Sequence, residues 1–161
     1  MTSLHLLRHA HAGDPEAWDG PDARRPLSDK GRAQSERLGR LLADRRFRPD
    51  AILSSPKLRA VQTAEIVADL LGVDVVVEER LGGPLDVDRL DAILADQADP
   101  NAPLLVGHDP DFSALVETLS GTGNLPMRKG ALARIDVERP LRAGAGTLRW
   151  LVPPDLLKPE R

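Results

Sequence analysis

Apolar residues recur along this chain in two rhythms, short β-branched or leucine-rich runs and longer stretches with a helical period, and their alternation predicts an α/β domain on a largely parallel sheet. Ser3 to Arg8 reads as the first strand and Ala12 to Leu27 as a long polar loop punctuated by Asp14-Pro15, Asp19-Gly20-Pro21 and Arg25-Pro26. Loops of that length in a compact domain tend to be functional. Ser28 is placed to cap a helix running to about Arg46, with Leu38, Leu41 and Leu42 on its buried stripe. Asp50 to Ser54 is a second strand. Ser55-Pro56 then has the form of a helix start, with a hydroxyl for an orphan amide and a proline at the first helical position, and the helix should stop at Gly72.

Val73 to Val77 and Pro103 to Val106 are two further expected strands. Between them lies a helix with Val87, Leu90, Ile93 and Leu94 on one face, and after them one starting at Asp109-Pro110 with Phe112, Leu115, Val116 and Leu119 on its face. Strands near Ala131 to Val137 and Thr147 to Val152 flank a turn at Gly144-Ala145-Gly146. The expected architecture is a three-layer α/β/α sandwich with a mostly parallel sheet. It forms one domain over residues 1–152, and the Pro-rich tail of residues 153–161 is expected to fray.

Composition narrows the chemistry. Of 161 residues 41% are apolar but only 2% aromatic, so the core must be built from aliphatic side chains, and that length suffices to bury one. Twenty-two basic against 25 acidic residues give a net charge of −3, without the excess that would hold a nucleic acid. The lack of cysteine excludes thiolate nucleophiles and cysteine-ligated metals. His5, Arg8 and His9 interrupt any signal-like apolar run at the N-terminus, and no later run would span a bilayer. A cytoplasmic protein is the expectation, with neither nucleic acid nor membrane as partner.

Three separated segments place a charged or nucleophilic residue at a strand's C-terminal end or in the next helix's first turn: Leu6-Leu7-Arg8-His9, Arg59 four residues after Ser55, and Val106-Gly107-His108. In an open α/β sheet those ends meet where the ligand crevice forms, and helix N-termini there favour anions. Phosphoryl transfer needs a nucleophile and cationic donors for the equatorial oxygens, because catalysis is mostly positioning and charge stabilisation. Arg8, His9, Arg59 and His108 meet that list, and a neutral imidazole is a competent nucleophile. No cofactor is implied.

The runs Leu7-Arg8-His9-Ala10, Ser54-Ser55-Pro56-Lys57-Leu58-Arg59-Ala60-Val61-Gln62-Thr63-Ala64 and Val106-Gly107-His108-Asp109-Pro110 resemble, in order, the three signatures of the histidine phosphatase superfamily. Pro26-Leu27-Ser28 with Gly31 and the short chain are more similar to the SixA-type phosphohistidine phosphatases than to the longer phosphoglycerate mutases. The resemblance implies a phosphoglycerate mutase-like fold. It also implies His9 as covalent phosphoryl acceptor, Arg8 and Arg59 as clamps on the phosphoryl oxygens, His108 as a donor to them and Arg25 as a further contact. Phosphate or sulfate would fit the same pocket. The acidic leaving-group donor of most members has no recognisable motif here, and Glu78, Glu79, Asp86 and Asp88 leave it unassigned. An imidazole leaving from phosphohistidine, protonated on its distal nitrogen, needs less acid help than an alkyl ester. A phosphorylated protein such as a histidine-containing phosphotransfer domain is therefore the expected substrate; a small phosphomonoester at the same site and a non-catalytic phosphate-binding module are the alternatives.

Other residues carry plainer expectations. His5, His9 and His11 would share one face of an extended strand, as in a metal-dependent hydrolase, but no ligand set of familiar spacing follows and the reading is without a metal. His5 is expected to be a partly buried strand residue and His11 to line the pocket mouth or face solvent. Trp18 should pin the long loop to the surface, Lys129 should be structural or solvated, and Arg45, Arg46 and Arg48 should offset a helix dipole.

Overall fold

The computed structural model describes residues 1–159. Six strands, β1 (Thr2–Arg8), β2 (Ala51–Ser54), β3 (Val75–Val77), β4 (Pro103–Gly107), β5 (Leu132–Val137) and β6 (Thr147–Val152), form one sheet in the order β3-β2-β4-β1-β5-β6. The pairs β3/β2, β2/β4 and β4/β1 are parallel, and β5 and β6 add antiparallel to the far edge.

The central strands β1, β2 and β4 are buried on both faces, and side-chain alternation sorts each of them between two cores. Leu4 and Leu6 of β1, with Leu53 and Leu105, face helices α3 (Val87–Asp96) and α4 (Asp111–Ser120) through Leu90, Ile93, Phe112 and Val116. Leu7, Ile52, Leu104 and Val106 face the opposite way, onto α1 (Asp29–Asp44) and α2 (Leu58–Leu71) through Leu38, Leu42, Ala64 and Val67. This is the three-layer α/β/α arrangement. No helix among the described residues is long and apolar enough to cross a membrane.

Ser28 caps α1, its Oγ accepting from the Gly31 amide at 3.1 Å. Gly31 is required by close approach, since a Cβ there would run into the carbonyl of His11, which accepts from the Ser28 amide at 3.1 Å. α1 ends at Asp44 rather than near Arg46, because Arg46 turns into the left-handed region at φ 56°. Gly72 stops α2 in that conformation, at φ 70°.

Further local expectations fail. α2 begins at Leu58 behind Lys57, which has no side-chain cap, and Ser55 does not cap it, for its hydroxyl is engaged elsewhere. The tail does not fray from Pro153: Pro154–Leu157 form a 3-10 turn, with Pro154 buried and Leu157 packed on the α1/α2 core. Glu160 and Arg161 lie outside the described residues.

Candidate active site

Because β1, β2 and β4 are parallel neighbours, the segments leaving their C-terminal ends converge at one edge of the sheet. Arg8 closes β1 and His9 follows it. The backbone there is held from both sides. The His9 amide donates to the Gly107 carbonyl at 3.0 Å, and the Gly130 amide donates to the carbonyls of Arg8 and His9, each at 3.0 Å.

The buried His9 ring has Nδ1 2.8 Å from the Ala10 carbonyl oxygen. A carbonyl only accepts, so Nδ1 carries the proton and Nε2 keeps its lone pair. Burial lowers the His9 pKa from 6.5 to about 4; the Ala10 hydrogen bond opposes this, and the charges of Arg59, Arg8 and Lys129 add to it. At neutral pH the ring is an uncharged base. His108 lies beside it, ring centroids 5.1 Å apart, with a pKa lowered to about 3 by burial and then by His9, Lys57, Arg59 and Arg8. Its Nε2 is 2.6 Å from Oγ of the fully buried Ser55, which also accepts from the Lys57 amide at 3.2 Å. Ser55 thus makes a serine turn and fixes the His108 ring.

Three arginines belong to the segments that meet here: Arg8 at the end of β1, Arg25 in the long loop and Arg59 at the start of α2. Arg59, in the first turn of α2, donates from Nη1 to the Asp22 carbonyl at 2.9 Å and from Nη2 to Asp22 Oδ2 at 3.0 Å. Arg25 donates from Nε to Asp22 Oδ1 at 3.2 Å and from Nη1 to the Ala12 carbonyl at 2.7 Å. Asp22, on a 3-10 turn at Asp22–Arg24, therefore bridges the two guanidiniums, and their hydrogen bonds and charges hold its carboxyl below the ordinary value although desolvation pulls the other way. Arg8 donates from Nη1 to the Met127 carbonyl at 2.8 Å and lies 3.7 Å from Asp109 Oδ2. The Nε atoms of Arg8 and Arg59 are buried with no hydrogen-bond partner among the described residues. Orphaned donors of this kind cost about 1–3 kcal/mol each and suit a tetrahedral oxyanion.

The acidic residues after β3 are committed or remote from such work. Glu78 is tied to Arg80 at 2.6 Å, and that hydrogen bond holds its carboxyl low; Asp86 caps α3, and Glu79 and Asp88 are exposed. Asp109 accepts from the amide and hydroxyl of Ser113. His5 is buried with its ring 4.5 Å from that of Phe47, and His11 is half-buried with Nδ1 2.6 Å from Ser28 Oγ. Among the described residues no three His, Cys, Asp or Glu side chains gather as a metal-ligand set. Trp18 is exposed and donates from Nε1 to the Pro21 carbonyl at 3.0 Å, a bond within its own loop rather than to the body of the domain.

The sequence model of the histidine phosphatase superfamily (branch 1) matches residues 4–83. The phosphohistidine phosphatase SixA of Escherichia coli is 30% identical over 96% of this chain and 96% of its own length. The chain belongs to the histidine phosphatase superfamily. Its fold is that of the protein histidine phosphatase SixA complexed with tungstate, with a TM-score of 0.83, 28% identity, and coverage of 98% of this chain and 100% of the other. The alpha-ribazole phosphatase of Shigella flexneri shares the fold at a TM-score of 0.74 and 21% identity, covering 95% of this chain and 97% of that one.

As a SixA-type histidine phosphatase the chain is a hydrolase. The four residues singled out in the sequence, Arg8, His9, Arg59 and His108, come to one edge of the sheet, and Asp22 links Arg25 to Arg59. Asp22 and Ser55, which contact Arg25, Arg59 and His108, are not marked as site residues by the sequence. Asp22 lacks any local signature, and Ser55 carried the misleading one of a helix cap.

Proposed function

We propose that this histidine phosphatase hydrolyses phosphohistidine on a protein, such as a histidine-containing phosphotransfer domain, through a phosphoryl group carried transiently on His9. The observation that carries this reading is the tautomer of His9: Nδ1 is fixed on the Ala10 carbonyl, so a neutral ring presents Nε2 as the nucleophile. Nε2 attacks phosphorus as the bond from phosphorus to the substrate imidazole breaks. The electron pair returns to that ring, which leaves neutral when its distal nitrogen already bears a proton. Water then attacks the phosphoryl group on His9, Nε2 regains its lone pair, and inorganic phosphate departs with the water's oxygen. Arg8, Arg59, Arg25 and His108 hold the phosphoryl oxygens, and the unpartnered Nε atoms of Arg8 and Arg59 support that role.

The state of two carboxylates supports phosphohistidine over an alkyl phosphate. Glu78 and Asp22 are both held ionised by arginines, so neither is a ready acid for an alkoxide leaving group. A small phosphomonoester at the same residues is the second reading, in keeping with the fold shared with a small-molecule phosphatase. A binding module without turnover would need the arginines but no nucleophile. A substrate panel decides among them, with phosphohistidine protein, sugar phosphates and glycerate phosphates offered to wild type and His9→Ala. Labelled phosphate should be trapped on wild type alone, with phosphohistidine turned over fastest. Equal turnover by both proteins refutes the mechanism, and faster turnover of aliphatic esters refutes the substrate.

A further inference from the structure

Beside the catalytic pocket, and sharing Arg8 with it, lies a second cleft of about 590 Å³. Its cations come from three stretches distant in sequence: Lys30 and Arg37 from α1, Arg128 and Lys129 from the approach to β5, and Lys158 after the turn at Pro154–Leu157. Asp155 is the single acidic residue in its lining. Among the described residues Lys30, Arg37, Arg128 and Lys129 make no ion pair, and the Nε atoms of Arg8 and Arg37 are buried without an acceptor. The crowding is felt: burial and then Arg8, Arg25, Arg59 and Lys30 lower the Lys129 pKa.

A phosphoryl group brings about two negative charges. Arg59 and Arg25 in the adjoining pocket, with Arg8, are already there to meet them. The remaining cations of the cleft call for further anions in the same ligand, spread over a surface wider than one phosphate. On a protein those anions are carboxylates. Resting on the reading above that the substrate is a phosphorylated protein, we propose that this cleft docks a carboxylate-rich stretch next to the phosphohistidine. The same field steers association and fixes which way the partner lies across His9.

The test uses two synthetic peptides with one phosphorylatable histidine, flanked by glutamates in one and glutamines in the other. The protein is wild type or Lys30→Glu/Lys158→Glu, both sites being exposed. Fluorescence anisotropy of the unphosphorylated peptides reads docking, and hydrolysis of the phosphorylated ones reads turnover. Wild type should bind the glutamate peptide about tenfold more tightly than the glutamine peptide, as expected for a few exposed ion pairs, with the preference fading as salt rises. The double variant should lose the preference, raising KM for the glutamate peptide alone while kcat holds. Equal binding of both peptides by wild type overturns the proposal. Pyrophosphate is titrated alongside, and a variant that loses affinity only for it also overturns the proposal, because the occupant would then be a small polyanion. Charge-dependent binding without turnover of either phosphopeptide would instead remove the phosphohistidine reading and leave the docking surface standing.

Discussion

Replacing Ser55 by alanine separates two roles that a serine at a helix start can play. The hydroxyl sits 2.6 Å from His108 Nε2 and accepts from the Lys57 amide at 3.2 Å, in a position with no solvent exposure. Alanine keeps the Cβ and leaves the His108 nitrogen without a partner, at a cost of about 1–3 kcal/mol for a buried polar group. For a domain of this size that lowers Tm by roughly 2–4 °C per kcal/mol. A mere helix cap would cost about 1 kcal/mol and spare catalysis. If the hydroxyl fixes the His108 ring, the same energy must be recovered in the transition state, and kcat/KM should fall about tenfold to a hundredfold. Thermal melts establish the fraction folded, and steady-state hydrolysis at a temperature well below the variant's Tm gives the rate. A lowered Tm with unchanged kcat/KM would refute the positioning role.

Asp22→Asn retains one acceptor oxygen for the arginines but removes a negative charge that competes with the substrate. The side chain is 57% exposed, so screening limits the gain to about 1 kcal/mol, and inhibition by inorganic phosphate should tighten about fivefold; weaker inhibition would show that Asp22 organises the arginines more than it opposes the anion. The His9 pKa near 4 keeps the ring neutral above that value, and on the proposed mechanism activity is lost as the ring is protonated below it. An NMR titration of the His9 ring should therefore show no protonation near pH 6.5, and a midpoint there would contradict the buried, neutral ring. Gly31→Ala should destabilise the protein despite alanine's higher helix propensity of about 1 kcal/mol, because its methyl would collide with the His11 carbonyl; a raised Tm would show that the loop yields.

Periodicity made most of the fold readable. Phe112, Leu115, Val116 and Leu119 all bury as their spacing requires, and the strand runs carrying Leu4 to Leu7 and Leu104 to Val106 lie at the sheet's centre. Boundaries slipped where backbone geometry overrode pattern: the strand expected from Val73 starts at Val75, three residues beyond the left-handed Gly72. Arg8, His9, Arg59 and His108 could be read because each belongs to a short local run. Asp22 could not, since its partner Arg59 lies 37 positions away and meets it only when the long loop folds back. Ser55 misled because the hydroxyl that suits a helix cap equally suits an imidazole, and only the arrival of β4 beside β2 decides between them.

β1 comes first in the chain and ends up in the middle of the sheet, clasped by β4 and β5. The amide and carbonyl of His9 are anchored by Gly107 and Gly130, so the backbone of His9 waits on glycines that lie about a hundred residues later in the chain. Long-range pairing of this kind is slow to form. A nascent or truncated chain that ends before Gly107 carries the full Arg8-His9 pair yet has neither His108 nor the clasp that shapes the pocket. On the proposed mechanism, competence therefore depends on residues beyond Gly107.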